Sequence, residues 1–529
     1  MKKNFSFALG SFFVLGMVLF WATSAQSAMT FKAGETGGIS FGGYMENLSA
    51  LRTGQEENGK IAGFRNVFMP EFLFTLNKEA QLFVSARIVK ETGYDMEDSV
   101  RAAKGLPPLA DNFYDETDFE PYELYLDVNL TKKLHLRTGK QFIIWGETDV
   151  FTLLDVISPS DSSWVPPAIM ALEETRIPQY AARLTYGVTP STTLEFVFVP
   201  MIDELDNRVN KSAPTGGRWA PFAENRPAAA APKLYPGMMA DFTKLGYNPP
   251  AGDKQTAPNV VRMVPDSDLN EARVGVRLTK TVGNATFTLV DFYGHNYSPV
   301  VQFDGVSKVK KRELVEVGGT PAVPGAPAYK DTNYFTPNFS VRYLRQNILG
   351  GSFSWFEDTF LKGIFRGEVA YYHNKPYNTY DPTVMDAVDR KDTISYVLGI
   401  DKQFYAPWLN PWEPNRVVFV SAQMFQDVIL DHDNYVRFIN TATPIDKLTT
   451  RFTLQVNTGF KNDTYVPSIT VAYDPKGVGV VVPALIWNPP WSENYYVELK
   501  YANYWGDQYE YLGAFNEKDS VFLRLRYMW

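Results

Sequence analysis

The 529-residue chain contains no cysteine, so it has neither a disulfide framework nor a thiolate metal site. Its four histidines, His135, His295, His373 and His432, stand far apart and lack the H-E-x-x-H spacing of a zinc site. Asp431-His432-Asp433 reads as a solvated cluster at a loop tip. No glycine-rich phosphate loop is present, and no metal or cofactor is called for. Beyond the N-terminus no run of about 18 apolar residues occurs, which excludes a helical membrane protein. No Ser/Gly-rich linker splits the chain. Basic residues are outnumbered, with a net charge of −8, which argues against a nucleic-acid partner.

The N-terminus has the layout of a secretory leader. Lys2 and Lys3 precede the apolar run Phe12 to Trp21, and small residues follow to Ala28. Residues 1–28 are expected to be a cleaved signal peptide, cut after Ala25, Ser27 or Ala28. Residues 29–529 would then form one domain.

Aromatic side chains make up 15% of the chain. They sit on strands of period two, where successive side chains point to opposite faces. Tyr180, Ala182, Leu184 and Tyr186 alternate with Ala181, Arg183 and Thr185. Ala272, Val274, Val276 and Leu278 alternate with Arg273, Gly275 and Arg277. The last strand alternates Val521, Leu523, Leu525, Tyr527 and Trp529 with Phe522, Arg524, Arg526 and Met528. An apolar row opposite an arginine row suits a wall with lipid outside and water inside, because Arg or Lys facing mid-bilayer lipid costs about 2–4 kcal/mol. The terminal Trp529 resembles the signal by which bacterial outer-membrane barrels engage their assembly machinery.

The fold class expected is all-β: a transmembrane antiparallel up-and-down β-barrel of about 18 strands, with 16 as the alternative. Strands are predicted to begin near residues 36, 61, 79, 120, 133, 178, 191, 270, 284, 338, 361, 393, 415, 448, 464, 478, 494 and 518. Short connections alternate with long ones at 94–118, 146–176, 203–269, 298–336, 374–392, 430–447 and 506–517. This is the pattern of periplasmic turns and extracellular loops. Asp474 to Gly477 is a tight turn where a long loop is due. The 203–269 and 298–336 segments read as surface loops, the second as flexible.

With the apolar row facing lipid, the lumen would receive Arg65, Arg87, Arg137, Arg183, Arg273, Arg277, Arg342, Arg366, Arg451, Arg524, Arg526 and Lys500. The acids read as inward are fewer: Glu71, Glu123, Asp127, Glu195, Asp291, Glu368, Asp401 and Glu498. A wall leaning basic would draw anionic or polar solutes. Arg–Glu ladders that stiffen a wide barrel account for the same residues equally well.

The densest pattern is G-K-Q-F-I-I-W-G-E-T-D, Gly139 to Asp149, then D-V-I-S-P-S-D, Asp155 to Asp161, then Glu173, Glu174 and Arg176-Ile177-Pro178. The strand is expected to end at Trp145, and Gly146 permits a sharp turn. Glu147, Asp149, Asp155, Asp161, Glu173 and Glu174 then give the 146–176 segment six acids. It is expected to fold into the lumen, pair with the arginines and narrow the pore, with Trp164, Pro166 and Pro167 adding apolar contact and stiffness.

This segment resembles the proteobacterial outer-membrane family called domain of unknown function 1302. The resemblance rests on Gly139, Lys140, Gln141, Trp145, Gly146, Glu147, Asp155, Val156, Ile157, Pro159, Asp161, Glu174, Arg176 and Pro178. Arg366 to Tyr372, R-G-E-V-A-Y-Y, is a further likeness. Lys140 stands where arginine is common, and 203–269 is a long insertion. The resemblance implies a porin-type barrel in the outer membrane of a Gram-negative bacterium, contacting its lipid. It also implies movement of hydrophobic or organic-acid solutes, with a periplasmic lipoprotein as a partner. Two other readings stand beside the channel. One is a plugged barrel docking a periplasmic lipid-transport system. The other is a barrel-embedded hydrolase, whose nucleophile, base and orienting group could be scattered along the chain.

Overall fold

A computed structural model of the chain describes residues 29–33, 37–54, 59, 61–93, 102–103, 118–161, 165–166, 168–200, 254–255, 259–263, 268–315, 328–381, 383–437, 444–507, 510–516 and 518–529. The leader expected over 1–28, most of 203–269, Trp164 and Pro167 lie outside the described residues.

Eighteen strands form a closed wall. They are β1 Gly37–Arg52, β2 Ile61–Thr75, β3 Ala80–Glu91, β4 Asp118–Asn129, β5 Leu134–Gln141 and β6 Gln179–Thr189. Next come β7 Thr192–Val199, β8 Arg273–Val282, β9 Ala285–His295, β10 Arg345–Glu357, β11 Gly363–Thr379 and β12 Val388–Tyr405. The last six are β13 Val417–Ile429, β14 Leu448–Thr458, β15 Tyr465–Asp474, β16 Val478–Trp487, β17 Tyr495–Trp505 and β18 Ser520–Met528. Each pairs antiparallel with its sequence neighbours, and β18 pairs with β1 from Tyr44↔Met528 to Arg52↔Ser520. Closure at eighteen leaves no open edge to the wall.

The two faces follow the sequence period. Leu278, Phe287, Leu289, Phe452 and Leu499 are exposed on the outside, while Arg65, Arg87, Glu195 and Glu368 are buried on the inside. Aromatic rings collect where lipid would meet water on the short-turn side. Trp529 stacks on Phe68 at 5.5 Å and its backbone N–H donates to the Gly43 carbonyl, stitching the last residue to β1. Met29–Ala33 extends this seam by pairing with Gly37–Phe41. The Asp474–Gly477 turn is tight, closed by the Gly477 N–H donating to the Asp474 carbonyl. Gly38 to Gly42 spells G-I-S-F-G, but it lies wholly within β1, so the strand-to-helix nucleophile elbow is not formed there.

Several sequence expectations are corrected. The tenth barrel strand begins at Arg345, not near 338. Ala328–Arg342 instead pairs antiparallel with Val300–Val315 in a separate sheet, and Asn259–Met263 and Lys254–Gln255 run parallel to it. The 298–336 segment is therefore a long hairpin; its Gly/Pro/Ala-rich tip masked the period-two flanks. Arg342 belongs to this sheet, where it meets Asp304 at 3.2 Å, and does not line the lumen.

Asp291 faces outward in the row of Leu289 and Tyr293, accepting a hydrogen bond from Asn347. A register shift between Ser85 and Ala86 turns Tyr122 inward, where its hydroxyl donates to the Arg176 carbonyl at 3.2 Å. Finally, the basic lean of the lumen is smaller than expected. Glu91 faces Arg65, Glu120 faces Arg87, Asp427 faces Arg451, and Glu46 sits between Arg524 and Arg526.

Candidate functional site

The strand expected to reach Trp145 ends at Gln141, so the connection from β5 to β6 spans residues 142–178 rather than 146–176, and it runs through the barrel as a strap. Just before it, within β5, Gly139 has a φ of 126°, and a Cβ there would stand 2.2 Å from the Leu124 carbonyl oxygen. Gly146 lets the chain double back, because a Cβ there would stand 2.9 Å from the Asp155 Cβ. The strap then touches inward side chains of strands on opposite walls.

Its root is set on β7 and β8. The Trp145 indole N–H donates to the Glu195 carboxylate at 2.7 Å. Arg183 holds the same carboxylate at 2.6 Å and Arg277 at 3.4 Å. The inward row of β8 reads Arg273, Gly275, Arg277, and all three serve the strap. Arg277 lies over the Trp145 ring at 5.7 Å. Gly275 leaves the slot that the indole fills. Arg273, fully buried, donates to the Ile157 carbonyl at 3.0 Å and to Gln179 at 2.7 Å. Within the strap Arg176 pairs with Asp155 and donates to the Ser158 carbonyl and the Ser160 hydroxyl.

Across the lumen β11 grips the 147–154 turn with three inward side chains of R-G-E-V-A-Y-Y. Arg366 donates to the Glu147 carbonyl and forks onto the Asp149 carboxylate. Glu368 accepts the backbone N–H of Glu147 and, at 3.1 Å, that of Leu154. The Tyr372 hydroxyl donates to the Leu153 carbonyl at 2.8 Å. From β13, Ser421 and Gln423 donate to Asp149 at 3.1 and 3.0 Å. The two sequence motifs are therefore the two halves of one clamp.

The third attachment is on the C-terminal strands. Glu174 accepts hydrogen bonds from Arg524 at 3.2 and 3.1 Å and from Arg526 at 2.9 Å. Burial pushes the Glu174 carboxyl up, but Arg524 and then Arg526 outweigh this and hold it below its ordinary value. Lys500 donates to the Ile169 carbonyl at 2.7 Å. Arg451 stacks on Phe151 at 5.4 Å, and Phe151 meets Phe425 edge-on.

Apolar contact fixes the strap at both flanks. Ile143, Trp145, Leu153, Leu154 and Ile157 pack with Val197, Val290, Phe292, Ile348 and Phe425. Val165 and Ile169 pack with Leu48, Val67, Val480 and Phe522 on the other side. Leu154 and Ile157 are fully buried, so this packing excludes water from the strap's middle.

The residues singled out in the sequence fall into three groups. Arg366, Glu368, Asp149, Glu174, Arg524, Arg526, Arg183 and Trp145 meet at the strap contacts above, and Glu147 joins through its backbone while its side chain is exposed. Gln141, Asp155, Asp161, Arg176 and Arg273 are buried, in or beneath the strap. Asp155 pairs inside the strap, with Arg176. Arg137 stands apart, paired with Asp127 and lying over Tyr125 at 4.4 Å, while Arg451 pairs with Asp427 and reaches the strap at Phe151. The Glu173 side chain lies outside the described residues. Gly275, Ser421 and Gln423 were not found from sequence as strap contacts, because only the folded barrel brings them within reach of 145–154. Among the described residues no helix is long and apolar enough to span a membrane and no cluster of metal-binding side chains occurs.

A closed eighteen-stranded wall with an apolar exterior, a charged interior and an internal strap defines a transmembrane β-barrel of porin-like build. The chain belongs to the family described as protein of unknown function (DUF1302), whose model matches residues 13–528. No curated protein matches it. Among solved structures it is similar to OccAB3 of Acinetobacter baumannii, at 8% identity and a TM-score of 0.44, covering 93% of this chain and 99% of that one. It is also similar to OccK3 (OpdO) of Pseudomonas aeruginosa, at 9% identity and a TM-score of 0.45, covering 93% and 95%. A third is OpdK of Pseudomonas aeruginosa with vanillate, at 7% identity and a TM-score of 0.45, covering 93% and 98%. Likeness at that level carries no functional argument.

Proposed function

We propose that the protein is an outer-membrane channel through which small anionic or amphipathic organic solutes diffuse, with the 142–178 strap as its constriction. The observation that carries this reading is the closed barrel whose inward arginines sit beside a strap holding carboxylates at the lumen. Part of that basic surface is open to solvent: the Arg137 and Arg183 side chains are 30% and 28% exposed. A confined, partly desolvated field of this sign concentrates anions. The barrel would reach its membrane through recognition of the strand ending at Trp529 by the assembly machinery.

Purified protein reconstituted into liposomes tests the reading. Swelling in sodium benzoate or gluconate, faster than in a neutral sugar of similar size, supports it; no solute entry and no conductance in planar bilayers would overturn it. A second reading is favoured by the burial of Leu154 and Ile157, which makes the strap a packed plug. The barrel would then be a docking point for a periplasmic system that handles hydrophobic compounds, reached through a lipoprotein. Silent bilayers together with co-purification of a periplasmic lipoprotein would select it.

A further inference from the structure

Asp149 occupies a site with the chemistry of a carboxylate receptor. Both its oxygens are held: Arg366 forks onto them, and Ser421 and Gln423 add donors at 3.1 and 3.0 Å to one of them. A planar guanidinium with two flanking neutral donors matches a carboxylate's geometry, whoever owns the carboxylate. Three further features set this contact apart from the other strap anchors. The Arg366 side chain is 15% exposed, whereas Arg524 beneath Glu174 is 5% exposed. Arg366 is also held by Asp401 at 2.9 Å, so it stays paired and oriented when Asp149 leaves. Beside Asp149, Glu147 has an exposed side chain, so the turn borders open lumen rather than the apolar packing.

We infer that the Arg366–Ser421–Gln423 cradle is a solute carboxylate site, and that Asp149 is an internal occupant which an incoming organic carboxylate displaces. The exchange conserves charge and hydrogen bonds: one carboxylate leaves the fork and one enters. No proton need move and no guanidinium is left bare. Displacement frees the 147–154 turn from one side of its clamp, while Glu174 on Arg524 and Trp145 on Glu195 keep the strap rooted. Binding and widening are thereby the same event. The inference rests on the channel reading for its consequence, but the binding itself does not need conduction.

Benzoate is the probe, with benzamide as the neutral control, both titrated calorimetrically into the detergent-solubilised full chain. Asp149→Asn removes the internal competitor with little change of shape, and benzoate should bind it at least tenfold tighter than the parent. Adding Arg366→Gln to that variant should abolish binding, and benzamide should bind neither form. Equal benzoate affinity in the parent and Asp149→Asn would overturn the proposal, as would equal binding of benzamide. Should the variants fail to fold, the parent still decides. Amide exchange at Glu147 and Leu154 should quicken several-fold with saturating benzoate and stay unchanged with benzamide. Unchanged exchange with benzoate would refute displacement. Tight, Asp149-dependent binding by a protein that conducts nothing would remove the channel reading and leave the site standing.

Discussion

The indole of Trp145 fills the space where Gly275 has no side chain: a Cβ on Gly275 would stand 2.5 Å from the ring's Cη2 and 3.0 Å from the Phe292 ring. A glycine on a barrel strand is otherwise a loss, since it gives nothing to pack. Here its absence of side chain is what lets the strap root against the wall. Gly275→Ala should therefore push Trp145 off Glu195 and destabilise the fold by about 1–3 kcal/mol, as overpacking does. A lower midpoint in urea, together with altered fluorescence of the buried indole, would confirm it. Gly187→Ala is the control, because its nearest neighbour to a new Cβ is 3.8 Å away. Equal effects from both would reject the special role of Gly275.

Glu368 offers the second prediction. Its carboxylate accepts two backbone N–H groups of the strap, and Gln can replace at most one of those acceptors well. A buried N–H left unmet costs about 1–3 kcal/mol. Glu368→Gln should thus loosen the 147–154 turn, raising proteolysis or amide exchange there while heat-modifiable migration of the barrel persists. If exchange in the turn is unchanged, the clamp is not what holds it.

How far the sequence could be read depends on what sets each feature. Strand positions were legible because period two and the turn residues are local: β2, β14 and β16 begin where the alternation begins, at Ile61, Leu448 and Val478. The 338–345 region misled because Ala328–Arg342 has the same alternation but pairs with Val300–Val315. Periodicity reports that a strand has two faces, not which sheet it joins. The charges behave likewise. Arg524 and Arg526 were recognisable as inward from their own strand, but Glu46 was missed because it is nearly five hundred residues away and meets them only through barrel closure. The motif residues Gly139 to Asp149 and Arg366 to Tyr372 were visible as patterns, while their mutual grip was not. Gly275 was legible as inward from its own strand, but nothing local marked it, or Ser421, as a contact of the strap.

The third prediction concerns acid. The Glu174 carboxyl is held below its ordinary value by Arg524 and Arg526. A depressed folded-state value means that the unfolded chain binds the proton more readily. The contribution to stability is then complete above the ordinary glutamate value, and is lost as pH falls through the depressed one. Parent barrel should lose stability across that acid window more steeply than Glu174→Gln, which has no proton to gain. The difference between the two stability curves is the measurement. Parallel curves from neutral pH down to about pH 3 would show that Glu174 contributes no linkage.

Charge selectivity gives the fourth. Arg183 and Arg451 are each partnered by an acid, Glu195 and Asp427. Replacing both arginines with alanine therefore removes positive charge and also leaves two carboxylates less compensated. Anion over cation permeability should fall, and the reversal potential in a potassium chloride gradient should move toward the cation value. The shift should shrink in high salt, because the Debye length drops to about 3 Å at 1 M. An unchanged reversal potential at low salt would mean that these side chains lie off the ion path.

The fifth prediction removes most of the strap. Residues 150–172 include Leu153, Leu154, Ile157, Val165 and Ile169, which pack against both sides of the barrel interior. Deleting them leaves Trp145 at its root on Glu195 and Glu174 on Arg524, so the two cut ends remain near the wall. The barrel's own hydrogen bonds run strand to strand around the full circuit and do not pass through the strap. Closure should therefore survive, and the product should stay heat-modifiable on gels. The inward apolar row once covered by the strap, Val290, Phe292, Ile348 and Phe425 among it, would then meet water. That exposure should lower the thermal midpoint through lost apolar burial, at roughly 25 cal/mol for each Å² uncovered. Conductance should rise severalfold, because the only segment shown to cross the lumen among the described residues is gone. A deletion protein that folds and conducts like the parent would place the strap off the permeation path, and with it the Asp149 and Glu174 contacts as elements of a constriction.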